Sequence, residues 1–364
     1  MTLRIAYFIS SHGFGHAARS AAVMHELHRQ IPTCTFEIFT LVPEWFFTQS
    51  LPNDAVIQYH PLLTDIGFVQ QNPIEEDLGE TVRQLDLLYP LRPELVTRVA
   101  AQLSALKVSV VVSDIAVVGI AAARLAGVPS VLIENFTWDW MYSSYLEREP
   151  KLRQFIDYLE PLFTQATHRI QAEPVCVLNN ALKRVAPIAR AVREPPLETR
   201  KALGISPESQ TILISMGGIP MNYDFFDALA AAPLYHFIVA GASAPQGMAS
   251  NITALPANSG IYHPDLVASS DAIVGKVGYS TVCEAYFGRT QFFFIPRPLF
   301  PESIVMERFV SEQLNGRAIE AEQFSNGSWV SKLPQLFLRV DPPGSVSVLP
   351  ENGAVQAARE IRFF

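Results

Sequence analysis

Apolar residues in the first third of the chain come in short runs, each followed by a stretch with helical spacing. Residues 5–10 read as a buried strand, the loop Ser11-His12-Gly13-Phe14-Gly15-His16 follows, and residues 17–29 carry apolar positions at the helical period. Residues 35–41 predict a second strand and Val56–Pro61 a weaker third. Residues 63–92 mix Gly, Pro and acidic side chains and read as a long excursion that ends in helix. The strongly apolar run 108–113 stops at Asp114, a helix over Val117–Ala126 leads to Gly127-Val128-Pro129, and Ser130–Glu134 is the next strand. This alternation predicts a parallel sheet with helices on both faces.

A second alternation starts after residues 187–203, which are rich in Pro, Arg and Glu, show little apolar periodicity and read as a linker. Strands are expected at 211–216, ending in Gly217-Gly218, at 236–240, ending in Gly241, at 272–274, entering Gly275-Lys276-Val277-Gly278, and at 291–295, ending in Pro296. Residues 353–362 read as a helix. The fold class is therefore α/β, with two Rossmann-like, doubly wound parallel-sheet domains. The expected boundaries are 1–186, the linker 187–203, 204–350, and a C-terminal helix, 351–364, returning to the first domain. Open parallel sheets bind ligands at the carboxyl ends of their strands. Both glycine loops fall there, so the chemistry is expected in a cleft that the two domains face.

Composition narrows the class. A chain of 364 residues, 49% hydrophobic and 17% charged, has enough apolar material for two cores. The formal net charge of -8 argues against nucleic acid as a partner. Cys34, Cys176 and Cys283 are odd in number, widely spaced and set in apolar runs, which reads as reduced thiols. There is no Cys/His spacing for zinc and no Asp-x-Asp, so no metal site is expected. The opening residues run straight into the glycine loop, and no apolar stretch reaches the ~20 residues of a membrane span. The expected location is the cytoplasm.

The first loop admits two readings. Gly13-x-Gly15-x-x-Ala18 fits a dinucleotide fingerprint, but the supporting acid would be Glu37, inside the second strand, and His12 and His16 are bulky where a pyrophosphate needs bare backbone. In the other reading His16 is a general base, and Asp114, closing a core strand at the same sheet edge, fixes its tautomer. The bland alternative makes both residues helix caps.

The second loop is Lys276-Val277-Gly278-Tyr279-Ser280-Thr281-Val282-Cys283-Glu284. Small and hydroxyl residues open a helix directly after a strand, where backbone N–H groups and the helix dipole suit a diphosphate. Lys276 adds positive charge and Glu284 could accept from ribose hydroxyls. The bland alternative is an ordinary cap at Ser280 with Glu284 solvated.

This loop resembles the H-C-G-W-N-S-x-x-E tract of the UDP-glycosyltransferases, with Lys276 at the His, Gly278 at the Gly, Tyr279 at the Trp, Ser280 and Thr281 at Asn-Ser, and Glu284 at the Glu. Tyr262-His263-Pro264-Asp265 looks like the family's W-x-P-Q tract, and Ser215-Met216-Gly217-Gly218 like its S-x-G-[SG] loop. Gly15-His16 matches its G-H, whose His is the base. Three blocks are closer still to the glycosyltransferase-like half of plant L-arabinokinases: Gly13-Phe14-Gly15-His16-Ala17-x-Arg19, Asn135-Phe136-Thr137-Trp138-Asp139, and the Gly275 to Thr281 loop. The sugar-kinase half and any P-loop are absent.

The resemblance implies a GT-B fold and an inverting, metal-independent transfer of sugar from a nucleoside-diphosphate sugar, a UDP-sugar, to a hydroxyl. No cofactor is implied, since the nucleotide-sugar is a substrate. His16 and Asp114 would be catalytic. The donor would lie on Gly217, Gly218, Tyr262 and His263, on the Lys276 to Glu284 loop, and on Glu302 after Pro296-Arg297-Pro298. His12, Phe14, Arg19, Asn135, Trp138 and Asp139 would face a small-molecule or lipid-linked acceptor; core packing is the alternative for Trp138. Two departures, Lys276 for His and Arg19 where many transferases have Pro, leave a nucleotide-sugar hydrolase or a non-catalytic nucleotide-sugar-binding protein as alternatives.

Overall fold

The structure is a computed structural model that describes residues 3–72, 74–178, 183–217, 223–243, 247–256, 258–338 and 348–364. It divides into two compact units. The first comprises Met1–Gln71, Glu76–Arg190 and Pro350–Phe364, and the second Asn72–Glu75 and Ala191–Leu349.

The first unit holds seven strands: β1 (Arg4–Ile9), β2 (Thr35–Thr40), β3 (Val56–Pro61), β4 (Val110–Asp114), β5 (Ser130–Glu134), β6 (His168–Ala172) and β7 (Lys183–Val185). Their order is β3-β2-β1-β4-β5-β6-β7, and every pairing is parallel. The inner strands β1 and β4 are apolar and buried along nearly their whole length, as strands covered on both faces must be. β6 is a different case. Its sequence His-Arg-Ile-Gln-Ala carries no apolar run, and polar pairing holds it to β5, with Arg169 Nε and Gln171 Nε2 both donating to Glu134 Oε1 at 2.9 Å. The C-terminal helix Gly353–Ile361 belongs to this unit and packs against the helix Gly15–Gln30.

The second unit holds β8 (Gln210–Ser215), β9 (Tyr235–Ala240), β10 (Ile252–Leu255), β11 (Ala272–Gly275), β12 (Gln291–Phe294) and β13 (Arg317–Ala318) in the order β10-β9-β8-β11-β12-β13, again all parallel. Its core gathers Ile212, Ile214, Phe237, Val274, Phe293 and Trp329. The stretch expected as a linker is partly structured. Pro196–Ala202 is a helix, and Arg200 donates to Ser269 O at 2.7 Å and to Asp271 Oδ2 at 2.9 Å, which fastens it to this unit.

In each sheet the direction of winding reverses once, between β1 and β4 in the first unit and between β8 and β11 in the second. Neighbouring crossovers leave opposite faces there and open a crevice at the carboxyl ends. The loops singled out from sequence follow β1, β4, β8 and β11, the four strands flanking those two points. Among the described residues no helix is long and apolar enough to cross a membrane.

Candidate active site

At the first switch point a buried polar cluster sits behind the glycine loop. His16 is the second residue of the helix Gly15–Gln30, whose N-cap is Phe14, and it caps nothing. Its Nδ1 lies 2.9 Å from Asp114 Oδ1. Asp114 ends β4 and is likewise no cap, since the following helix starts from Ala116. The β-branched Ile115 directly after it holds φ at +52°, a left-handed conformation that costs such a residue about 1–3 kcal/mol. Ser113 Oγ closes that turn by donating to Ala116 O and accepting from its N–H. The strained turn fixes where the carboxylate points.

Arg19, one helical turn beyond His16, reaches the same carboxylate with Nε to Oδ2 at 2.9 Å and Nη2 to Oδ1 at 2.6 Å. Its Nη1 donates to Asn135 Oδ1, and Ser20 Oγ donates to Asp114 Oδ2 at 3.2 Å. Asp114 is fully buried and Arg19 is 1% exposed. Burial alone would push the Asp114 carboxyl up. The Arg19 charge and the hydrogen bonds from Arg19 and His16 outweigh it and hold the group below the ordinary range. Asp114 therefore stays ionised and accepts from His16 Nδ1–H. That tautomer leaves Nε2 bare and able to take a proton.

Three residues expected to face an acceptor lie behind this cluster instead. Arg19 and Asn135 are buried and turned inward, toward Asp114, because a buried carboxylate needs a cation and donors. Trp138 is also core. Its Nε1–H donates to Asp65 Oδ2 at 2.8 Å, and its ring packs against those of His12, His16 and Phe136. His12, Phe14 and Asp139 are half-buried, and Phe14 stacks on Phe46. Glu37, the candidate acid of a dinucleotide site, is buried within β2 and pairs with His60 at 2.7 Å and with Arg4 at 3.4 Å, a structural role.

Sequence reasoning missed Asp65. It lies in the unpatterned excursion after β3, is 2% exposed, and accepts from Ser10 Oγ at 2.9 Å as well as from Trp138. Burial pushes its carboxyl up to about 6, against the lowering effect of Trp138, His16 and Ser10. The only sequence signal was an acid beside a threonine, Thr64, whose hydroxyl bonds Ile9 O at the end of β1.

At the second switch point glycine backbone lies beside Lys276 and the buried Glu284. An added Cβ on Gly275 would collide with Ser215 O, so β8 and β11 approach there only because the residue is glycine. Gly217 holds φ at +69°, and the Lys276 stem lies across it, 2.9 Å from where a Cβ would sit. The helix Tyr279–Gly288 begins at N-cap Gly278, two residues before Ser280, and glycine has no side chain to close its first turn. Thr281 lies within that turn and is buried, while Ser280 is partly open. Gly218 lies outside the described residues.

Glu284 is buried on the same helix, not solvated, and its Oε2 lies 2.8 Å from His263 Nδ1. His263 Nε2 lies 3.3 Å from Ser215 Oγ, so a hydrogen-bonded chain joins the ends of β8 and the tract Tyr262–Asp265 to Glu284. The Arg193 guanidinium covers the Tyr262 ring at 4.1 Å, and Asp265 accepts from Arg193 N–H at 2.8 Å. Glu302 is buried in the first turn of the helix Pro301–Gln313. Among the described residues no three His, Cys, Asp or Glu side chains converge as a metal-binding group.

No family model matches the chain. It is similar to L-arabinokinase of Arabidopsis thaliana, 26% identical over 343 residues, which covers 91% of this chain and 32% of that protein. The chain thus spans about a third of the length of the curated relative it matches. Among solved structures it is similar to CalG4, the calicheamicin glycosyltransferase, with TM-score 0.65 and 18% identity over 100% of this chain and 98% of that one. It is similar too to a UDP-glucosyltransferase from Polygonum tinctorium that glucosylates indoxyl, with TM-score 0.63 and 15% identity over 99% and 98% of the two chains. The chain is therefore a protein of the GT-B fold, which it shares with these glycosyltransferases along its whole length.

Proposed function

We propose that the chain is an inverting glycosyltransferase that moves a sugar from a nucleoside-diphosphate sugar, a UDP-sugar, to a hydroxyl acceptor without a metal. The observation that carries this reading is the His16–Asp114 contact at 2.9 Å, which presents a bare Nε2 at the edge of the first sheet. The acceptor hydroxyl gives its proton to His16 Nε2 while its oxygen bonds to the anomeric carbon from the side opposite the leaving group. The bond from that carbon to the diphosphate oxygen breaks, and the nucleoside diphosphate departs with the electron pair. The configuration inverts in this single displacement.

The second unit holds the donor. The first-turn N–H groups of the Tyr279–Gly288 helix and the Lys276 ammonium meet the negative charge that grows on the diphosphate. This positive charge supports a transfer independent of metal. Glu284 accepts from ribose hydroxyls and Glu302 from donor sugar hydroxyls. Named relatives of the same fold, CalG4 and the Polygonum UDP-glucosyltransferase, support the reaction class.

A thermal-shift screen across nucleotide-sugars tests the reading, because a ligand that binds only the native state raises the unfolding midpoint. We expect UDP-sugars to shift it, and the preferred one to be consumed only when a hydroxyl acceptor is added. Release of free sugar without an acceptor would make the protein a hydrolase. A donor that binds and persists against every acceptor would make it a binding module, and no shift with any nucleotide-sugar would remove the reading.

A further inference from the structure

The charges buried around His16 do not balance with Asp114 alone. Arg19 makes two hydrogen bonds to Asp114, so that pair carries no net charge. When His16 takes a proton, as the proposed reaction requires, the cluster of His16, Arg19 and Asp114 holds one uncompensated positive charge. All three side chains are buried, and a buried unpaired charge is costly. The remaining charged groups near this cluster are few. Glu134 lies toward Arg19, but its Oε1 is already paired with the Arg169 guanidinium at 2.9 Å. Tyr7, on β1, and Tyr89 and Tyr142, beside Asp65, are held neutral by burial. Asp65 is the further carboxylate whose charge acts on His16.

Asp65 is well placed for the task. Its two oxygens accept from Ser10 Oγ and from Trp138 Nε1 and, among the described residues, from no cation. The Trp138 ring that it anchors lies against the His16 ring, with centroids 6.1 Å apart. Ser10 Oγ in turn accepts the His12 N–H at 3.3 Å, so the same carboxylate ties down the start of the glycine loop. Both oxygens are engaged by neutral donors, which stabilise the ionised form without cancelling its charge.

We infer that Asp65 is a positioning residue that supplies the counter-charge for the imidazolium formed on His16, in place of the charge that Arg19 removes from Asp114. The inference rests on the proposed role of His16 as base. Proton transfer then takes the four-group cluster from one net negative charge to zero, and no unpaired positive charge is left in the interior. The raised Asp65 carboxyl, at about 6, makes this support pH-dependent: it is present at neutral pH and fades as the medium becomes more acidic.

Asp65→Asn keeps the size of the side chain and removes its charge. We expect turnover at neutral pH to fall about 10-fold or more, with the donor KM unchanged. The acid limb of the rate profile should move toward lower pH, because the variant lacks the carboxylate whose charge is lost near pH 6 in wild type. A purely structural Asp65 would lower turnover and thermal midpoint together and leave the limb where it was, and that result would overturn the inference. A second measurement needs neither a variant nor turnover. In the wild-type protein the Trp138 indole N–H resonance should titrate with a midpoint near 6, and the His16 ring resonances should shift in the same step. Absence of a shared step would equally overturn it. If wild type transfers no sugar from any nucleotide-sugar, the functional reading fails on its own, and the resonances still report whether Asp65 and His16 are coupled.

Discussion

The two units wind their central strands in the same order, yet they fill their switch points with opposite materials. In the first unit ionisable side chains fill the ends of β1 and β4, with His16, Arg19 and Asp114 hydrogen-bonded below the surface and Asp65 reaching Ser10 from the excursion after β3. In the second the ends of β8 and β11 carry glycine, with Gly217 and Gly275 admitting a close backbone approach and Gly278 leaving a helix end uncapped. The difference follows from what each chemistry needs. Moving a proton takes a side chain with two protonation states, held in one tautomer by fixed neighbours. Holding a polyanion takes many donors that do not titrate, which the main chain provides at a helix N-terminus.

The largest expected effect breaks the first unit's part alone. His16→Ala should lower turnover by about 100- to 10,000-fold, the usual span of general acid–base catalysis, as measured by product formation at saturating donor. Next comes the ion pair behind it. Arg19→Met leaves the Asp114 carboxylate buried without its cation and should destabilise the fold by about 3–5 kcal/mol in urea unfolding. Adding Asp114→Asn to that variant should recover part of the loss, because the unpaired charge is then gone. A variant with unchanged stability would mean that the pair is not the clamp its geometry indicates.

The Asp65 carboxyl gives a smaller and pH-dependent term. Its folded value, about 6, lies above the ordinary value, so its stabilising contribution is full below about pH 4 and is lost as pH rises through about 6. The rise of the Asp65 carboxyl to about 6 corresponds to about 3 kcal/mol. The stability of wild type relative to Asp65→Asn should therefore decline by up to that amount between pH 4 and 7, as read from paired denaturant titrations; a flat difference would contradict it. The smallest effect belongs to the second unit. Glu284→Ala should weaken nucleotide-sugar binding by about 1–3 kcal/mol in titration calorimetry, through the loss of charged hydrogen bonds, while stability of the first unit's cluster is untouched.

What was legible in the sequence follows the range of the signals. Buried parallel strands such as β1, β4 and β8 announce themselves as apolar runs, and the glycine loops follow directly from them. His16 and Asp114 could be paired from 98 positions apart because each ends or follows such a strand. Arg19 could not be placed. Its partners Asp114 and Asn135 lie 95 and 116 positions away, and a helical arginine in an apolar stretch gives no hint that it points inward. Asp65 was hidden in a stretch with no periodicity, where only the fold brings Ser10 and Trp138 to it. β6 escaped notice because polar pairs with Glu134, not an apolar run, hold it in the sheet.

The division of labour between the two units is the central claim, and a single-turnover experiment with a donor titration on His16→Ala and Glu284→Ala tests it most directly. The account predicts crossed losses. His16→Ala should bind the donor like wild type and lose the chemical step, whereas Glu284→Ala should need about 5- to 150-fold more donor, the equivalent of about 1–3 kcal/mol, and then react at close to the wild-type rate. If both variants lose donor affinity and chemical rate together, or if His16→Ala reacts normally once saturated, the proton is not taken where the first unit holds its histidine.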